Sequence, residues 1–111
     1  MSRGRWHILR DDTVLTLARR VPVRFDLSAS TRLPDGSRLQ LAQQVRQDIW
    51  RALQGLKGFT PVVRVERVAS GLKVTAGGQV AGVFPRLQAE ARIAEVLEDP
   101  KNRARWVRWA Q

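Results

Sequence analysis

The chain has 111 residues and a formal net charge of +10 at pH 7, from 20 Lys and Arg against 10 Asp and Glu. Hydrophobic residues make up 43% and charged residues 27%, the composition of one globular domain, which excludes collagen, a coiled coil and a disordered tail. The absence of cysteine excludes disulfides, thiolate nucleophiles, zinc ribbons and iron–sulfur clusters; with His7 the single histidine, neither a metal site nor a cofactor is expected.

In chain order, Arg5–Arg10 and Thr13–Ala18 alternate in the period of two that marks strands, with Asp11-Asp12 as the turn between them. Val21, Val23, Phe25 and Leu27 then share one face of a third strand, with Pro22 near its start. Ser28–Gly36 reads as a loop, turned by Pro34-Asp35-Gly36. Ser37-Arg38-Leu39-Gln40 fits a capping box, the Ser37 hydroxyl accepting from the Gln40 amide. Behind it, Leu41, Ala42, Val45, Ile49, Ala52, Leu53 and Leu56 fall on one arc of a helix that ends at Gly55 or Gly58.

Three short strands are expected next. Val62–Val68 leads through Ala69-Ser70-Gly71 to Leu72–Ala76. Gly77-Gly78 then reads as a two-residue hairpin loop, returning through Gln79–Phe84. Pro85 suits the first turn of a helix to about Glu98. Asp99 and Pro100 suit the N-cap and first position of a last helix. The expected fold is α+β and antiparallel, ordered β-β-β-α-β-β-β-α-α, with the helices on one face. It is one domain, residues 1–111. N-terminal strands lie at 5–27, an α-β-β-β-α unit at 37–98, and a basic Arg/Trp helix at 100–111.

The α-β-β-β-α order of residues 37–98 resembles that of the double-stranded-RNA-binding domain family. That family reads RNA by shape, partly through its first helix, and clamps phosphates with basic residues opening its second. Here the second helix opens Pro85-Arg86-Leu87-Gln88-Ala89-Glu90-Ala91, with one cation where the family has a lysine cluster. The likeness is one of element order.

No nucleophile–base arrangement stands out. Ser2, Ser28, Ser30, Ser37 and Ser70 fall in the terminus, loops or caps. Asp11-Asp12 and Glu98-Asp99 fall at turns or helix ends, where acids serve as caps. No Gly-Lys-Ser/Thr phosphate loop occurs. The chain therefore reads as a non-enzymatic binding module.

Two surfaces attract attention. Gln40, Gln43, Gln44, Gln47, Arg51 and Gln54 lie opposite the apolar arc of the first helix, with Trp50 at the margin. This neutral face, dense in donors and acceptors, suits a partner. The C-terminal segment carries Lys101, Arg103, Arg105 and Arg108 interleaved with Trp106 and Trp109, and no acid after Asp99. Cations neutralise phosphates and indoles stack on bases, so these six residues are the expected nucleic-acid contacts.

The partner expected from the charge is RNA or DNA, or an acidic protein surface. The alternative is a protein-interaction or regulatory assembly subunit, for example a homodimer. Seventeen of the cations are Arg, a bias that GC-rich codons also produce, but which does not by itself give two cations per anion. No apolar run reaches the roughly 18–20 residues of a membrane helix. The positively charged start, Met1 to Ile8, is not followed by a signal-peptide apolar stretch, so a cytoplasmic protein is expected.

Overall fold

A computed structural model describes residues 6–111. Its elements are β1 (His7–Arg10), β2 (Val14–Ala18), β3 (Leu27–Leu33), α1 (Arg38–Ala52), β4 (Phe59–Val68), β5 (Gly71–Val80), α2 (Arg86–Glu98) and α3 (Pro100–Ala110). They form an antiparallel five-stranded sheet in the order β1-β2-β4-β5-β3, and the fold is α+β. Arg5, read as the start of the first strand, lies outside the described residues.

Local chemistry explains several boundaries. The Asp11 carboxylate accepts from the amides of Thr13 and Val14 at 2.9 and 2.8 Å, closing the β1–β2 turn. These bonds hold the Asp11 pKa below its ordinary value. Ser37 caps α1 by accepting from the Gln40 amide at 3.2 Å. Asp99 caps α3 by accepting from the amides of Lys101 and Asn102, with Pro100 in the first turn. Each cap satisfies amides that have no partner inside the helix.

Facing residues across the ladders assign the two sheet faces. Leu15 faces Val65, which faces Val74; Leu17 faces Val63, which faces Ala76. These residues join Leu41, Val45 and Ile49 of α1, Ile93 and Leu97 of α2, and Trp106 of α3 in one buried cluster. The opposite face carries Thr16, Arg64, Thr75 and Ser30 in one cross-strand row. Residues 19–26 run from the end of β2 to the far edge across this second face. There the Arg64 guanidinium lies over the Phe25 ring at 5.1 Å, and Ala18 and Val62 are buried.

Three expectations are corrected. The third strand is Leu27–Leu33 rather than Val21–Leu27. In Leu27-Ser28-Ala29-Ser30-Thr31-Arg32-Leu33 the serines occupy the second face, so the serine-rich run alternates as an edge strand. Val21–Phe25, with a cis Val21–Pro22 bond, is the crossover instead. Between α1 and α2 there are two strands, not three, because Gly77-Gly78 continues β5 rather than turning it. Gly77 faces Val62 and Ser28, and Gly78 faces Pro61 and Leu27. A Cβ at Gly77 would collide with the Leu27 carbonyl oxygen, and one at Gly78 with that of Thr60. The glycines serve close approach of strands. The element order likened to double-stranded-RNA-binding domains is thus not met. Finally, α1 ends at Ala52, short of Gly55.

Candidate functional site

Half of the expected C-terminal interface is turned inward. Trp106 is 0% exposed, and its indole nitrogen donates to Asp48 Oδ2 at 2.7 Å. Arg105 donates to the same oxygen at 2.8 Å, to Asn102 Oδ1 at 2.9 Å and to Gln44 Oε1 at 3.4 Å. Arg103 donates to Thr31 Oγ1, to the Leu97 carbonyl and to the Arg32 carbonyl, with Glu98 at 3.8 Å. Trp106 is therefore out of reach of a base, and Arg103 and Arg105 hold the fold together. Lys101, Arg108 and Trp109 remain exposed.

The glutamine face divides in two. Gln44 and Asp48 turn toward α3 through Arg105. Arg51 lies beside a shallow depression with Asp48, Arg92 and Asn102. Gln40, Gln43, Gln47 and Gln54 are exposed, and Trp50, 47% exposed, faces a different feature.

That feature is a cleft of about 380 Å³ lined by Trp6, Arg19, Arg20, Arg46, Trp50, Phe59, Thr60 and Pro61. Its position follows from topology. Trp6 precedes β1, Arg19-Arg20 follows β2, and Phe59 begins β4, so all three meet at one end of the sheet. Arg46 and Trp50, four residues apart, share one flank of α1 and form the opposite wall.

The electrostatics are one-sided. Two guanidiniums lie over the Trp6 ring, Arg46 at 4.8 Å and Arg19 at 5.5 Å from its centroid, which satisfies cation–π geometry. Burial, then the like charge of Arg19, lowers the Arg46 pKa from its ordinary value. The Arg46 Nε is buried with no hydrogen-bond partner. No carboxylate stands among the described lining residues, whereas Arg24, Arg67, Arg86, Arg92, Arg103 and Arg105 all have acidic partners. A second hollow, lined by Trp50, Leu53, Gln54, Leu56, Lys57, Gly58 and Phe59, adjoins it and adds one more cation.

Sequence reasoning overlooked Arg19, Arg20, Arg46, Trp6 and Phe59 as a group. The Arg46/Trp50 spacing was a visible signal. Their meeting with Arg19 and Phe59 depends on strand order, which no local pattern carries. Among the described residues no group of three or more His, Asp or Glu converges as a metal site would require. Among them, too, no helix is long and apolar enough to cross a membrane. No family model, curated protein or solved structure matches the chain.

Proposed function

We propose that this protein is a small, non-enzymatic nucleic-acid-binding module whose contact surface is the cleft between α1 and the ends of β1, β2 and β4. The observation that carries the reading is the grouping of Arg19, Arg20 and Arg46 beside Trp6, Trp50 and Phe59, with no carboxylate among the described lining residues. Phosphates neutralise guanidiniums and aromatic rings accept bases. Guanidinium and indole groups do not exchange protons near neutral pH, so they suit holding a polyanion better than transforming one. Arg108, Lys101 and Trp109 extend the basic surface on α3.

The test is binding to mixed-sequence RNA and DNA by gel shift at several salt concentrations. Affinity is expected to fall steeply between about 50 and about 200 mM salt. Replacing Arg19 and Arg20 by Ala should reduce the salt slope by about 1 for each phosphate that the variant no longer neutralises. No binding at low salt to either nucleic acid rejects the proposal.

A second reading, a homodimeric assembly subunit, is favoured by the unequal treatment of the two sheet edges. On the outer side of β3, the Ser28 amide donates to Glu90 Oε2 at 2.9 Å and the Arg32 carbonyl accepts from Arg103 at 2.6 Å. The outer side of β1 pairs with no strand among the described residues, and Ile8 and Leu9 are each 42% exposed. An open edge of this kind is a template for another strand.

A further inference from the structure

Trp6 is already occupied, since Arg19 and Arg46 both lie over its ring. The indole free to take a new partner in the cleft is Trp50, 47% exposed, with half-buried Phe59 beside it. A duplex presents phosphates and groove edges to a protein, and its base faces remain stacked inside. A flat ring with an open face is matched instead by a base outside a stack. The volume of about 380 Å³ lies at the small end of the roughly 300–1,000 Å³ typical of small-ligand sites, which suits one nucleotide unit. The anion site and the stacking ring stand on the same wall, one helical turn apart, as phosphate and base do within one nucleotide.

We infer that the cleft receives a single unstacked nucleotide of a single strand, its base against Trp50 and its phosphate on the Arg19–Arg46 pair, with Arg20 at the rim. The inference rests on the nucleic-acid reading of this cleft and adds that single strands are preferred to duplexes. Arg46 stands on the α1 wall of the cleft, its guanidinium over the Trp6 ring. Phe59 limits how far the base can slide.

The experiment follows intrinsic tryptophan fluorescence of the full chain titrated with oligothymidylate, oligouridylate, a duplex of equal length and thymidine monophosphate. Single strands should quench the fluorescence and bind at least about tenfold more tightly than the duplex. Trp50→Ala should weaken single-strand binding by roughly 5- to 150-fold, the range for loss of one base–aromatic stack. Trp50→Phe should keep most of the affinity, because a phenyl ring still offers a π face. Arg19→Glu, an exposed change that leaves the core untouched, should weaken all single-strand binding even if Trp50→Ala proves poorly folded. Equal affinity for duplex and single strand overturns the inference but leaves the module a nucleic-acid binder. So does a folded Trp50→Ala variant that binds within twofold of the parent. A mononucleotide that binds as tightly as the oligomers overturns the choice of a strand over a free nucleotide. Absence of binding to every nucleic acid at low salt removes the functional proposal as well.

Discussion

Trp106 and Trp109 are three residues apart on α3 and have opposite fates. Trp106 is sealed in the cluster and bonded to Asp48, while Trp109 is 61% exposed. Replacing Trp106 by Ala should cost about 3–5 kcal/mol, the range for truncating a buried aromatic, with a further penalty for Asp48 as it loses a buried donor. Trp109→Ala should stay within about 0.5 kcal/mol of the parent. Urea unfolding of the two variants measures both, and equal effects would contradict the packing of α3. The same contrast separates the arginines. Arg103 reaches two carbonyls and a hydroxyl, and Arg105 reaches a carboxylate and two amide oxygens, so their charge is directed into the fold. Residue type alone made them resemble phosphate ligands. Helical period places Trp106, Arg103 and Arg105 on α3 but does not say which flank faces α1.

Among the elements, the helices and the first hairpin were legible because their signals are local. Ser37 and Asp99 mark helix starts, and Asp11 marks a turn, through bonds made within three residues; Pro100 marks a start by its fixed φ. Strand assignments failed where the deciding partner was remote. Ser28–Leu33 looks like a loop until β5 lies alongside it, and Gly77-Gly78 looks like a turn until Leu27 and Thr60 press against it. The cleft failed for the same reason, since its residues come from α1, β4 and the segments that flank β1 and β2. The sheet edges supply the test of the dimer reading. If β1 pairs with β1 of a second copy, light scattering should give twice the chain mass of 12.6 kDa, and Ile8→Lys should return it to the monomer by placing a charge at the joint. A monomer mass at high protein concentration rejects that assembly.

For the whole molecule, the +10 charge divides into cations balanced within the fold and cations left facing solvent or one another. The arginines paired with acids stabilise the structure; the cleft gathers Arg19, Arg20 and Arg46 without such balance. Acid should therefore act against stability in two ways. Asp26 has its pKa lowered first by the hydrogen bonds from Arg24, at 2.9 and 3.0 Å, and next by the Val80 amide at 2.8 Å; that of Asp11 is lowered by its turn amides. A carboxylate with a depressed folded pKa contributes stability that is fully present above its unfolded value, near 3.8, and lost as pH falls through the folded value. Over that window the net positive charge also rises. Melting temperature should be flat near neutrality and decline below about pH 4, and Asp26→Asn should reduce the decline. A melting temperature that holds steady far into acid, below about pH 2, would contradict the Asp26 anchor.

The strand order β1-β2-β4-β5-β3 has a consequence for how the chain assembles in time. The β4–β5 hairpin inserts between β2 and β3, so β3 has no strand to pair with until β5, which begins only after α1 and β4 in the sequence, has been made. A growing chain can close the β1–β2 hairpin and wind α1 early, since both rest on near neighbours. The remaining sheet must wait, because pairing between distant segments carries a loop-closure cost before it returns any stabilisation.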